Sequence, residues 1–208
     1  MPTKQKLNSP WPKLETKGED GRRHRSDRSR RRIIEALFDL IGEGDMSPSA
    51  VSVAARADVG LRTVFRHFED MDSIYDEMTA ELSEAVMPKL KAPFVSSTWR
   101  ERLMESVERR ADIYEMVFPM KVCMSLRRFQ SDFIKTQHEQ DVALERSTLK
   151  AILPKEIVSN RTLFSALETT LAFTTWRRLR QDQNLSVESA KDAMQLILAG
   201  LIADIDVD

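Results

Sequence analysis

Arg62 and Thr63 stand at the start of a short apolar-periodic segment, with Arg66 and His67 one turn further on. A guanidinium can donate two parallel hydrogen bonds to the O6/N7 edge of guanine, and a threonine methyl can meet that of thymine. Seven arginines and one acid crowd residues 22–32, a charge density suited to tracking phosphates or entering a narrow minor groove. Other chemistry is poorly provided for. No Gly-x-x-x-x-Gly-Lys, no Gly-x-Ser-x-Gly and no paired cysteines at metal-ligand spacing occur. His138-Glu139 begins like a zinc-hydrolase motif, but Val142 stands where its second histidine belongs. With three histidines in the chain, no catalytic residue, metal site or cofactor is expected.

These side chains need helices to hold them. Ile33, Leu37, Leu40 and Ile41 repeat at helical spacing and mark a first helix, stopped by Gly42 and Gly44. Ser47-Pro48 reads as cap and first-turn proline of a second helix, whose small-residue face is Val53, Ala54 and Ala57. Asp58-Val59-Gly60 interrupts it, and a third helix starts at Leu61 with Val64 and Phe68 turned inward. Two short helices joined by a tight turn and braced by a third form a helix-turn-helix, whose second helix offers its N-terminal end to the major groove. The remainder reads as long helices from Met71 to about Pro88 and from Ser97 to about Val117. Further segments run Met120 to Phe129, Ser131 to Leu153, Asn160 to Gln183 and Ser186 to Ile205. No β alternation is sustained. The expected fold class is all-α, with an N-terminal three-helix DNA-binding domain and a C-terminal helical ligand-binding and dimerisation domain.

Composition agrees with that division. The chain has 208 residues and a net charge of −1, but residues 1–68 carry 14 Lys+Arg against 9 Asp+Glu. The excess of acid lies behind them, so only the front half suits a polyanion. The expected organisation is a flexible leader over 1–21, a basic arm and helix-turn-helix over 22–70, and a helical effector-binding and dimerisation domain over 71–208. The longest apolar stretch of the C-terminal half, Leu196 to Ala203, is far short of the ~20 residues of a bilayer span, so no membrane partner is expected. No apolar run follows the N-terminal Met, and a lone Cys123 permits no intrachain disulfide. A reducing, cytoplasmic setting follows.

The residues Ile34, Ala36, Leu40, Ile41 and Glu43-Gly44, then the run from Val53 to Phe68 and Tyr75, resemble the tetracycline-repressor-like (TetR) family of bacterial transcriptional regulators. The resemblance covers roughly residues 30–75. It implies a homodimeric regulator, usually a repressor, whose two recognition helices enter successive major grooves of an operator and separate when a small effector binds. By the same resemblance Ser49 is a phosphate donor, Leu61, Arg62 and Thr63 meet base edges or adjacent phosphates, and Phe65, Arg66 and His67 serve the backbone. Four residues depart from the family pattern: Asp58 for glycine, Gly60 for a serine cap, Phe65 for tyrosine and Met71 for lysine. They weaken backbone affinity. The arginine tract, including Arg30, Arg31 and Arg32 ahead of the first helix, is expected to compensate.

Behind residue 71, soft and aromatic side chains suggest a cavity for a small apolar effector: Met104, Ile113, Met116, Met120, Met124, Phe129, Phe173 and Trp176. Arg109, Tyr114 and Thr170 are its candidate polar groups. The last two helices offer Leu163, Leu167 and Leu171, then Met194, Ile197, Leu198 and Leu201, as a face for a second copy. Two other readings stay open from the sequence: a helical protein-interaction module, and a thiol sensor using Cys123.

Overall fold

In the computed structural model, Ser49 rather than Ser47 starts the second helix. Its hydroxyl accepts from the Ser52 amide at 3.1 Å while the Ser52 hydroxyl accepts from the Ser49 amide at 2.9 Å, a reciprocal capping box. Pro48 lies before the cap, buried. The structure describes residues 21–207, with side chains from Ser26 onward. The leader assigned to residues 1–21 lies outside the described residues except for Gly21, which begins a helix.

The described residues form α1 (Gly21–Gly42), α2 (Ala50–Arg56), α3 (Leu61–His67), α4 (Met71–Lys91) and α5 (Trp99–Arg127). Then follow α6 (Asp132–Lys150), α7 (Lys155–Ser159), α8 (Arg161–Leu171) and α9 (Phe173–Arg177). A π-helical turn (Arg178–Asp182) leads to α10 (Val187–Ile202). No strand occurs among them, and the all-α expectation holds.

Three boundaries differ from the sequence reading. The arginine tract is no arm ahead of a helix but the first turns of α1, because arginine is a good helix former and no glycine or proline falls within residues 22–41. Helix α5 runs unbroken through Pro119, where two segments were expected; one proline removes a single hydrogen bond, which a 29-residue helix buried along its length tolerates. The stretch expected as one helix over 160–183 divides at Ala172, whose extended backbone ends α8 before α9 begins.

The described residues fall into two compact units, each considered by itself. The first joins residues through Ala85 with Pro119–Lys135. Its centre is Ile33, Ile34, Leu37, Ile41, Val53 and Val64, all inaccessible to solvent. Tyr75 and Cys123, 48 residues apart, meet there with 3.6 Å between Oη and Sγ, so this unit extends past the division at residue 70 drawn from sequence. The second unit comprises Val86–Phe118 and the residues from Thr136 onward. In it α8 packs on α10 through Leu167 and Leu171, and through Met194 and Leu198, which are fully buried. Glu115 ties α5 to the π-helical turn, accepting from Trp176 Nε1 at 2.9 Å and Arg180 Nε at 2.8 Å.

Candidate nucleic-acid interface

Helix α3 has only two turns, so it depends on what lies beneath it. Val64 and, just past the helix, Phe68 are 0% and 3% exposed and anchor it to α1 and α2. Opposite them, Leu61, Arg62, Phe65 and Arg66 face solvent, and Thr63 is half-buried at the edge. Phe65 keeps 51% of its surface exposed, a large apolar ring held among cations. Residues 57–60 make the turn between α2 and α3, within the three to four residues such motifs use. Asp58 supplies the left-handed residue of that turn at φ 51°, a conformation that aspartate tolerates better than most. Val59, the apolar residue of the turn, is half-buried.

Around this helix three arginines of the tract find partners within the chain. Arg30 donates Nη1 to the carbonyl of His67 at 2.7 Å, Nε to Glu77 Oε1 at 3.0 Å and Nη2 to the same carboxylate. Its guanidinium also lies 4.3 Å from the centre of the Phe68 ring. It therefore closes the C-terminal end of α3 and ties it to α1 and α4. Arg32 reaches Asp58 through both carboxylate, at 3.1 Å, and carbonyl, at 3.3 Å. The anion that departs from the family pattern thus faces a cation of its own chain. Arg31 pairs with Glu35 one turn on at 3.2 Å. All three arginines have protein partners. Glu77 and Asp58 as those partners were not legible in sequence, because 47 and 26 residues separate them from their arginines.

Ser49 is exposed, and its hydroxyl is engaged in capping α2. His67 is half-buried, with Nε2 shut off from solvent and bonded to nothing among the described residues. Burial first, then Arg66 and Arg30, push its pKa below that of a free imidazole. Its enclosed Nε2 is not presented to solvent as a phosphate ligand would need. Leu61, Arg62, Thr63, Phe65 and Arg66 remain as one surface on one helix. No group of three or more His, Cys, Asp or Glu is arranged to hold a metal among the described residues.

With this geometry, two solved structures share the chain's fold. A transcriptional regulator from Rhodococcus sp. Rha1 aligns with a TM-score of 0.67 over 86% of this chain and 99% of its own, at 18% identity. The two chains have the same fold. A Clostridium perfringens protein described as a regulator of fatty acid metabolism has the same fold, with a TM-score of 0.58 over 85% of this chain and 100% of its own, at 15% identity. No protein-family model and no curated protein matches the sequence.

The two compact units redistribute the other candidate residues. Met120, Met124 and Phe129 belong to the first unit, whereas Met104, Ile113, Met116, Phe173 and Trp176 belong to the second. Phe129 is 80% exposed and borders an open, polar pocket with Gln130, Ser131 and Lys135. Phe173 is core, set edge-on to Tyr114 and Phe118 at 5.4 and 5.5 Å between ring centres, and Trp176 is fully buried. A cavity of about 270 Å³ in the second unit is lined by none of these eight, though Arg109 borders it. On the expected dimer face, Leu167, Leu171, Met194 and Leu198 are inside the subunit, since α8 and α10 consume each other's apolar stripes. Leu163 and Leu201 are half-buried, while Ile197 and its neighbour Leu196 are 45% and 75% exposed. Cys123 is wholly buried, its thiol pushed up by burial, which does not suit a reactive sensor. No helix among the described residues is long and apolar enough to cross a membrane.

Proposed function

We propose that this protein is a sequence-specific, DNA-binding regulator of transcription that reads its operator through α3. The observation that carries the reading is the outer face of that helix. Arg62, Phe65 and Arg66 stand clear of the chain's own packing on a helix whose other side is fixed by Val64 and Phe68. Arg62 is the base-reading residue, Thr63 and Leu61 flank it, and Arg66 and Phe65 meet the sugar-phosphate backbone. Sequence selection from a random duplex pool, followed by anisotropy on the selected site, tests this directly. Arg62→Ala with Thr63→Ala leaves weak, salt-dependent binding and removes preference for the selected site. Retained selectivity at physiological salt refutes the reading.

The regulator acts as a homodimer and a repressor, released when an effector binds the second unit and favours another spacing of the two recognition helices. Dimers of this kind read half-sites ~34–36 Å apart. The surface open to a twin is the outer side of α10 around Leu196 and Ile197, which supports association there. Light scattering at micromolar concentration gives the dimer mass, and Leu196→Glu with Ile197→Glu gives a folded monomer. A monomeric mass for the unmodified chain removes the dimer. The protein-interaction and thiol-sensor readings have no comparable surface in their favour.

A further inference from the structure

The cavity of the second unit lies among the end of α4, the loop after it, α5 and the end of α6. Its wall carries four cations, Lys91, Arg102, Arg109 and Arg110, and no carboxylate. Arg109 and Arg110 are largely buried there. Apart from one carboxylate each, they are met by neutral acceptors. Arg109 donates to the carbonyls of Leu90, Ala92 and Pro93, and Arg110 to those of Glu145 and Leu171 and to two hydroxyls. Glu105 pairs with Arg109 at 3.4 Å and Glu145 lies 4.0 Å from Arg110, and neither carboxylate lines the cavity. Arg102 commits Nε to the Ser96 carbonyl at 3.0 Å, and among the described residues its Nη atoms and Lys91 Nζ have no protein partner. Arg109 and Arg110 are thus paired behind the lining, while Arg102 and Lys91 bring positive charge to the cavity with no acid among its lining residues.

We infer that this cavity binds a small organic anion. Its carboxylate or phosphate head sits on Arg102 and Lys91, and its short apolar body lies against Leu90, Leu149 and Ile152. The volume, just under the ~300–1,000 Å³ of sites for drug-sized ligands, limits the body to a short chain or a single ring. The apolar effector expected from sequence thereby gains a charge. The inference deepens the effector reading and rests on it for any consequence at the operator, whereas the site itself is read without DNA.

Calorimetry on the full chain compares octanoate, octyl phosphate, octan-1-ol and octylamine at physiological salt. The two anions bind at least ten times more tightly than the alcohol, the amine does not bind, and the tighter anion identifies the head group. Arg102→Gln with Lys91→Gln brings the anions down to the alcohol's affinity while helical content stays unchanged; Arg102→Lys keeps the preference for anions at reduced affinity. Equal binding of alcohol and anions, or anion binding that survives the double substitution in a folded chain, overturns the site. Anion binding that leaves operator affinity unchanged upholds the site and removes only the effector reading.

Discussion

Helices α3 and α10 are both amphipathic, yet their apolar and polar faces end up in opposite employment. In α3 the buried stripe is minimal, Val64 with Phe68 behind it, and the exposed side carries two arginines and a phenyl ring. In α10 the buried stripe is long, Ala190, Met194, Leu198 and Ile202, and the exposed side still carries Leu196 and Ile197. A seven-residue helix cannot hold its position by its own hydrogen bonds and is held by neighbours, which frees its outer face for a partner. A sixteen-residue helix has more apolar surface than one neighbour covers. The lesson is that an apolar stripe announces burial without saying what performs it.

The sharpest way to break the comparison is at the two phenylalanines of the α3 segment. Phe68→Ala is expected to lower stability by about 3–5 kcal/mol, as for other buried aromatics. Phe65→Ala shifts it by less than about 0.5 kcal/mol, its effect falling on DNA affinity instead. Denaturant melts beside anisotropy titrations separate the two, and equal destabilisation would merge the faces we distinguish. Next in size, Arg62→Ala alone costs about 1–3 kcal/mol of discrimination between the operator and a site changed at one base pair.

Arg30 tests whether the underside of α3 is as structural as it looks. Arg30→Ala and Glu77→Gln each weaken operator binding by about 1 kcal/mol, a modest value because the ion pair is partly exposed. The salt dependence stays unchanged, whereas a lost phosphate contact would lower its slope by about one. Tighter binding in Glu77→Gln would mean that Arg30 serves DNA after all.

His67 sharpens the same point through pH. Its folded-state pKa is lowered, chiefly by burial, so the unfolded chain takes up the proton first. Stability contributed by the neutral ring is complete above about pH 6.5 and declines as pH falls below it. His67→Gln flattens that decline in melts between pH 5 and 7; an unaltered profile contradicts it. The smallest effect is at Gly60, the cap of α3 that lacks a side-chain acceptor. A Cβ there meets nothing closer than Thr63 Oγ1 at 3.9 Å, so Gly60→Ser adds a few tenths of a kcal/mol.

Legibility followed sequence distance. Asp58 as the left-handed turn residue, Val64 and Phe68 as anchors and the exposed side of α3 were readable because each depends on neighbours within a turn or two of chain. The first helix was read twelve residues too short, because the arginine run looked like a solvated arm and its helical continuation left no apolar period to detect. The expected effector residues failed for the complementary reason. Methionine and phenylalanine at helical spacing reveal burial, and Phe173 and Trp176 are indeed buried, but the cavity formed among arginines on α5 and the residues ending α4 and α6.

What the chain alone determined is local: which segments are helical, which side of each is apolar, and that a basic, two-turn helix follows a tight turn. Periodicity and turn chemistry act over a few residues, and a sequence displays them openly. Tertiary structure decided the pairings: Arg30 with Glu77, Arg32 with Asp58, α8 with α10, and the cluster of cations around one cavity. Those contacts join residues 26 to 47 positions apart or link separate helices, and no local pattern selects a charge's partner from the many carboxylates a folded chain can bring to it.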